Sequence, residues 1–280
     1  MSLNSLYLDA FHACAQLGSF TKAAARLHIT QSALSQRIKN LEEELGTVLM
    51  VRERAGARLT DFGERLVRYC RAKESAEAEL VQEIQGPKKG GLSGIIRIGA
   101  FSTVARSVVL PALSELLSQN PGVQLKLEVR ELYELPLLLR SGEIEFLLST
   151  QTLNKPGLVS HRLGTEKNVL IQKKGYTGGD TFLDHDEEDT TTLEYFQRKS
   201  GPLLRHFMDD IYGIIDGVRL GVGRAVVPLH LVAGLPNIEI VNESKKHSVP
   251  IFLYYYEQAI FSRLHTAVVS ILNENMKALK

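Results

Sequence analysis

Residues 19–46 read SFTKAAARLHITQSALSQRIKNLEEELG and predict two short helices joined by a tight connection. Ser19 and Thr30 suit the N-cap positions, because a hydroxyl oxygen there accepts from a free backbone N–H group. At about 100° per residue, the second helix separates an apolar stripe from a polar face. The stripe holds Leu34, Ile38, Leu41 and Leu45, and the polar face holds Ser32, Gln36 and Lys39. One face therefore packs against the protein, and the other is presented to a partner.

This pattern is typical of a helix-turn-helix. The polar face offers hydroxyl and amide groups and one cation, which suit base edges and phosphates in a DNA major groove. An ordinary helical hairpin with a solvated outer face has the same periodicity and is the alternative.

The flanking residues favour the helix-turn-helix. The relevant segments are Gln31-Ser32-Ala33-Leu34-Ser35-Gln36-Arg37-Ile38, Leu41-Glu42, Leu45-Gly46, Arg52 and Leu59-Thr60-x-x-Gly63. In this order and spacing they resemble the N-terminal signature of LysR-type transcriptional regulators. One departure is Leu49-Met50-Val51-Arg52, where the family usually has Leu-Phe before the wing arginine. The Met50 side chain is expected to fill the same apolar space.

The resemblance implies a sequence-specific DNA-binding transcription regulator controlled by a small-molecule effector. Base or groove contacts are expected from Ser32, Gln36 and Lys39, with Ser35 flanking them, and phosphate contacts from Thr30, Gln31, Arg52 and Arg54. The expected partners are double-stranded promoter DNA, the effector and further copies in a homodimer or homotetramer. RNA polymerase joins them if the protein activates transcription.

Composition sets the broad class. The chain has 280 residues, 44% of them hydrophobic, and a net charge of +1. The cations concentrate in the helix pair and the segment after it, so salt-dependent DNA affinity is expected. Neither a run of 18 apolar residues nor a secretory signal is visible, so we expect a cytoplasmic protein with no membrane partner. Two cysteines, Cys14 and Cys70, predict no disulfide framework, and we expect no metal or cofactor. Cys70 is predicted to be the more exposed of the two, with its thiolate favoured by Arg68 and Arg71.

Four segments follow along the chain. An all-α winged helix-turn-helix is predicted over residues 1–60, with the wing turning at Ala55-Gly56. A linker helix over 61–85 carries a coiled-coil seam at Phe62, Leu66, Tyr69, Lys73, Ala76 and Leu80. Dimerisation through this helix is the favoured interpretation, and packing on its own chain is the alternative. A hinge rich in glycine spans 86–94.

Residues 95–280 are predicted to form an α/β effector domain. Strands are predicted at 95–100, 123–129, 144–149, 225–228, 238–241 and 250–256, and helices at 106–119, 132–140, 192–197, 211–219 and 259–278. Strands that alternate with helices predict a parallel sheet of βαβ units. The resemblance implies a periplasmic-binding-protein-like domain, with two α/β lobes that hold the effector between them.

The effector is expected beyond the carboxyl ends of the strands. The residues expected there are Ser102, Thr103, Ser149, Thr150, Gln151, Gly221 and Gly223. Ser102 and Thr103 also suit simple helix capping, and the two glycines also suit a helix stop. His185 lies in an acidic run, 184–189, which we interpret as a solvated loop that leads into a helix rather than a cation site.

Two other functional classes are weighed. One is a metabolite-binding or transport-associated protein whose helical domain only dimerises it. The other is an enzyme on the α/β lobes, which the sequence does not favour because it lacks a nucleophile elbow, a zinc-protease motif and a phosphate loop.

Overall fold

A computed structural model describes residues 3–53, 56–84, 91–197, 204–242, 244–258 and 261–274. The N-terminal elements are α1 (Ser5–Leu17), α2 (Phe20–Arg26), α3 (Gln31–Leu45), β1 (Met50–Glu53) and β2 (Gly56–Leu59). β1 and β2 pair antiparallel, with Met50 opposite Leu59. This is the predicted winged helix-turn-helix.

The helix caps and the core agree with the sequence pattern. The Ser19 hydroxyl accepts from Lys22 N, and the Thr30 hydroxyl accepts from Ala33 N. Met50 is 7% exposed and belongs to the core of this domain, so it does fill the expected apolar space. Gly46, in the left-handed region, ends α3.

The linker helix α4 (Asp61–Ile84) has two parts with different surroundings. Leu66, Val67 and Cys70 are buried in the core of the N-terminal domain. Tyr69, on another face of the same helix, and Leu80, further along it, are half exposed. The predicted seam is therefore interrupted, because Leu66 packs within its own chain. The prediction for Cys70 is wrong: burial raises the pKa of its thiol to about 12. Gln85 and the first part of the predicted hinge lie outside the described residues.

The second domain contains all remaining elements. Its strands are β3 (Ser93–Ala100), β4 (Gly122–Val129), β5 (Phe146–Ser149), β6 (Leu158–Lys173), β7 (Thr181–Asp184), β8 (Leu204–Phe207), β9 (Ala225–Pro228), β10 (Ile238–Ile240) and β11 (His247–Tyr256). Its helices are α5 (Ser102–Val104), α6 (Leu110–Gln119), α7 (Leu135–Arg140), α8 (Thr191–Tyr195), α9 (Ile211–Leu220), α10 (Leu229–Val232) and α11 (Arg263–Glu274). A π-helical turn, Ala105–Val109, joins α5 to α6.

The main sheet is mixed, which corrects the predicted parallel sheet. Its order is β10-β6-β11-β5-β3-β4, and β9 also pairs with β6. β4 and β5 pair parallel with β3, whereas β11 pairs antiparallel with β5 and with β6, and β9 and β10 pair antiparallel with β6. The antiparallel pairs involve the two long strands β6 and β11. The sequence of these strands does not indicate in which direction each runs through the sheet.

Two lobes share this sheet. Lobe 1 contains β3, β4, β5 and helices α5, α6, α7 and α11, and its main core includes Ile98, Val109 and Leu253. Lobe 2 contains β7 to β10 and α8 to α10, with a core around Val169, Val218 and Val227. β6 and β11 connect the lobes, and β6, β7 and β8 were missed by the sequence prediction.

Candidate nucleic-acid interface and effector cleft

The third helix has a buried face and an exposed face, as predicted. Leu34 and Leu41 are fully buried, and Ile38 is 4% exposed. Gln31, Ser32, Gln36 and Lys39 are exposed, and Ser35 is half-buried. Asn40 Nδ2 donates to the Tyr7 hydroxyl at 3.2 Å, which fixes α3 against α1.

The exposed side chains of α3 keep hydrogen-bonding capacity. Gln36 is exposed, and its Nε2 donates to Asn40 Oδ1 at 2.7 Å. Thr30 Oγ1 is 2.9 Å from Ser32 Oγ, so these two hydroxyls form a pair at the start of the helix. Lys39 Nζ lies 3.5 Å from Glu43 Oε1, an exposed pair that a phosphate can displace. The side chain of Arg52 and the whole of Arg54 lie outside the described residues.

The predicted effector residues of lobe 1 are brought to one edge of the sheet. β3 runs parallel to β5, so Ser102 and Thr150 follow the carboxyl ends of neighbouring strands. Ser149 is buried and its hydroxyl accepts from Gln151 N at 3.1 Å. The Tyr254 hydroxyl donates to Gln151 O at 3.0 Å and holds this loop in place. Ser102 and Gln151 are exposed.

The two glycines of lobe 2 have local structural roles. Gly221 has φ 89° and ends α9 in the left-handed region, with its N–H bonded to Gly217 O and Val218 O. A Cβ at Gly223 would lie 2.9 Å from Thr181 O, so the close approach to β7 requires glycine there. Both observations fit the alternative of a helix stop and tight packing.

A buried polar network joins the lobes, and no sequence pattern predicts it. Glu166 on β6 is 6% exposed, and its Oε1 accepts from Thr103 Oγ1 at 3.0 Å. His230 Nε2 on α10 lies 2.9 Å from the same oxygen, and His230 Nδ1 lies 2.9 Å from Ser107 Oγ. A carboxylate therefore occupies the position beside Thr103 where we predicted an anion site. A negatively charged group next to Thr103 would meet Coulomb repulsion from Glu166.

Comparison with known protein families identifies both domains. The profile described as "Bacterial regulatory helix-turn-helix protein, lysR family" matches residues 7–64, and that of the "LysR substrate binding domain" matches residues 89–277. The chain belongs to the LysR family. It is a DNA-binding transcription regulator with an effector-binding domain.

Several similar proteins are transcription regulators, and the similarity covers most of both chains. The RuBisCO operon transcriptional regulator of Allochromatium vinosum is 28% identical over 252 residues, 83% of this chain and 82% of that protein. The regulator ArgP of Photobacterium profundum is 29% identical over 278 residues, 92% and 90% of the two chains. Among solved structures, LysG of Corynebacterium glutamicum with bound effector Arg has a TM-score of 0.79 at 21% identity over 98% of both chains. ArgP of Mycobacterium tuberculosis has a TM-score of 0.80 at 24% identity over 99% of both chains.

The wing of this LysR-family regulator, β1 and β2, is fixed to α3 by Glu42. Its Oε1 accepts from Leu49 N at 2.8 Å and from Met50 N at 3.2 Å. The Thr60 hydroxyl donates to Val48 O at 2.7 Å and accepts from Gly63 N at 3.1 Å. These contacts give a physical reason for Glu42, Thr60 and Gly63 in the family signature.

The linker helix is bonded to lobe 1 by charged groups. Arg140 contacts Asp61 Oδ1 at 2.5 Å and Glu64 Oε2 at 2.6 Å, which raises the pKa of the Arg140 guanidinium. The Arg68 guanidinium donates to Arg140 O at 2.8 Å and lies 3.8 Å above the Tyr256 ring. We found no sequence signal for these pairs, because their members are far apart along the chain.

Among the helices that the structure describes, none is long and apolar enough to cross a membrane.

Proposed function

We propose that the exposed face of α3 reads the base edges of a promoter duplex. The observation that carries the proposal is the sharp division of α3 into buried Leu34, Ile38 and Leu41 and exposed polar residues. The proposed groove contacts are Ser32, Ser35, Gln36 and Lys39, and the proposed phosphate contacts are Thr30, Gln31, Arg52 and Arg54. A DNA partner also supports a cytoplasmic location and a regulatory rather than enzymatic role.

Binding titrations on purified variants test this face. The specific duplex is first selected from a random pool by the full-length protein. Gln36→Ala is expected to reduce the preference for that duplex over random DNA by about 1–3 kcal/mol, because it removes a base-edge partner. Arg52→Ala is expected to weaken binding to both duplexes and to reduce the salt dependence. Gln119→Ala, a matched change on α6, is the control. An unchanged preference in Gln36→Ala would show that another surface reads the sequence.

The regulator is proposed to act as a dimer through α4. A groove of about 710 Å³ runs between α4 and the loops around Pro156 and Glu257, and Tyr69, Ala76 and Leu80 line it. Its apolar floor continues the predicted seam, and its length along a helix suits the α4 helix of a second copy. Sedimentation of Tyr69→Lys/Leu80→Lys is expected to show dissociation, and Ser118→Lys on α6 is the control. A homotetramer, and a contact with RNA polymerase in the case of an activator, would be built on this dimer.

The effector is proposed to be a small α-amino acid that carries a cationic group. The buried Glu166 carboxylate, at 3.0 Å from Thr103 Oγ1, is the acceptor for that cation. The residues that we propose for the cleft are Ser102, Thr103, Ser149, Thr150, Gln151, Gly221 and Gly223, and the exposed Ser102 is proposed to bind the ligand carboxylate. The LysG structure that this chain resembles has arginine as its bound effector, which agrees with this chemistry.

Thermal unfolding with added ligands tests the effector class. Arginine and lysine are expected to raise the melting temperature, whereas succinate is expected to have no effect. Glu166→Gln should lose the response to the basic amino acids, and Ser102→Ala/Thr103→Ala should weaken it while operator binding persists. Stabilisation by succinate alone would contradict the proposed chemistry but would leave the DNA-binding proposal intact.

A further inference from the structure

His230 lies at the junction of the two lobes and contacts both sides of it. The residue belongs to α10 of lobe 2, and its Nδ1 lies 2.9 Å from the Ser107 hydroxyl, in the π-helical turn of lobe 1. Its Nε2 lies 2.9 Å from Oε1 of Glu166, on the connecting strand β6. The side chains of His230 and Glu166 are 8% and 7% exposed. While these contacts are made, a ligand therefore has little access to the Glu166 carboxylate.

The hydrogen-bond partners of the His230 ring indicate that both of its nitrogens carry a hydrogen. Ser107 Oγ donates its one hydrogen to Thr103 O, so it accepts from His230 Nδ1. Glu166 Oε1 accepts from Thr103 Oγ1 at 3.0 Å, and an ionised carboxylate has no hydrogen to donate, so His230 Nε2 is the donor to it. A ring with both hydrogens is an imidazolium cation.

His230 thus supplies Glu166 with a cation from the chain itself. Among the residues that the structure describes, no other charged side chain lies within ion-pair distance of Glu166. Removal of this partner leaves a buried carboxylate without compensation, which is strongly unfavourable. A ligand that takes the place of His230 must therefore bring a cation of its own.

The π-helical turn carries a second contact between the lobes. The Arg106 guanidinium lies 4.1 Å from the centroid of the Tyr212 ring, on α9 of lobe 2. Turns of this kind are rare and occur frequently at functional sites. Arg106 and Ser107 are neighbours in the turn, but only the Ser107 contact leads through His230 to Glu166. The two contacts between the lobes can therefore be broken separately by mutation.

We propose that His230 is a specificity-determining residue, which occupies on Glu166 the position of the cationic group of the effector. This inference rests on the proposed binding of a basic amino acid at Glu166. An ammonium or guanidinium group of the effector displaces the imidazolium, whereas a neutral ligand of the same shape does not. Displacement also loosens α10 from lobe 1, because Glu166 and Ser107 hold the same ring. Effector binding is thereby coupled to the arrangement of the lobes.

Calorimetric titration of the full-length protein with L-arginine and L-citrulline tests the competition. Citrulline has the shape of arginine but carries an uncharged ureido group. The wild type is expected to bind arginine and not citrulline. His230→Leu removes the competitor and is expected to bind arginine about tenfold more tightly, because the ligand no longer has to break a hydrogen bond to a charged group.

Arg106→Gln is the matched control, since it breaks the other contact between the lobes and leaves His230 on Glu166. Its affinity for arginine should stay close to that of the wild type. An equal gain of affinity in Arg106→Gln and His230→Leu would show that loosening of the lobes, and not competition, is responsible. That result would overturn the proposal.

A second variant covers the case in which His230→Leu does not fold. Ser107→Ala removes only the acceptor of His230 Nδ1 and leaves the ring free to move away from Glu166. It is expected to raise the affinity for arginine by about threefold, because one neutral hydrogen bond no longer holds the competitor. An affinity equal to that of the wild type would contradict the competition.

Glu166→Gln separates this inference from the proposed function. If this variant still binds arginine, or if neither the wild type nor His230→Leu binds it, the proposed effector chemistry fails and this inference fails with it. If arginine binding requires Glu166 but is equally tight in the wild type and in His230→Leu, only the competition by His230 is overturned.

Discussion

Replacing Glu42 by alanine should weaken the attachment of the wing, β1 and β2, to α3. The half-buried Glu42 carboxylate accepts from the backbone N–H groups of Leu49 and Met50, at 2.8 and 3.2 Å. Hydrogen bonds to a charged group contribute about 1.5–3 kcal/mol each, but here both donors share one oxygen that is partly solvated. We therefore expect Glu42→Ala to lower the free energy of unfolding of this domain by about 2 kcal/mol.

Hydrogen exchange and DNA titration measure the two consequences. The amide protons of Leu49 and Met50 should exchange faster in Glu42→Ala, because they lose their acceptor. The affinity for specific and for random DNA should fall together, since the wing is proposed to contact phosphates rather than bases.

Glu43→Ala is the matched control on the same helix. Glu43 contacts Lys39 at 3.5 Å, and both side chains are about two-thirds exposed. Its removal should change stability by less than about 0.5 kcal/mol. If Glu42→Ala and Glu43→Ala have equal stability and equal exchange rates, the carboxylate does not hold the wing and the reasoning fails.

Three further predictions concern stability. Gly63→Ala should lower the free energy of unfolding by about 1–3 kcal/mol, because a Cβ there would lie 2.1 Å from Leu49 O. Urea unfolding measures this change, and Gly179→Ala is the control because a Cβ at Gly179 would have no atom within 4 Å. Burial lowers the pKa of His265 from about 6.5 in the unfolded chain to about 4 in the folded chain. The neutral ring therefore makes its full contribution to the free energy of unfolding above pH 6.5, and this contribution is lost as the pH falls toward 4. Between pH 7.5 and 4.5 the wild type should lose about 2.5 kcal/mol more than His265→Phe in urea unfolding, and parallel pH profiles would contradict this. A double-mutant cycle of Arg140→Gln and Glu64→Gln should give a coupling of about 0.5–1 kcal/mol between lobe 1 and α4, and a coupling of zero would show that the exposed pair contributes nothing.

The sequence was sufficient for features that depend on neighbouring residues. The buried face of α3, its Thr30 cap and the end at Gly46 follow from periodicity and local hydrogen bonding, and the structure has all three. The same is true of β9, Ala225–Pro228, which is a short apolar run.

Features that depend on distant residues were not predictable. β6 was missed because His161, Arg162 and Glu166 interrupt its apolar alternation, and its partner strand β11 is distant in the sequence. The bond between Glu166 and His230 joins residues 64 positions apart, and no local pattern marks either residue. Cys70 was predicted as exposed from its charged neighbours in sequence, but a helix turns those neighbours to other faces.

The strand β6 limits how the two lobes can move. Its first part is hydrogen-bonded to β11, with one register shift between Ile251 and Phe252, and its last part to β9 and β10, so a backbone ladder passes from one lobe to the other. Wide opening of the lobes would break ladder bonds, whereas torsion about the strand axis would keep them. We therefore expect effector binding to rotate lobe 2 slightly about the axis of β6. Labels on one helix of each lobe should then show a changed angle between the helices and a nearly constant distance between the labels.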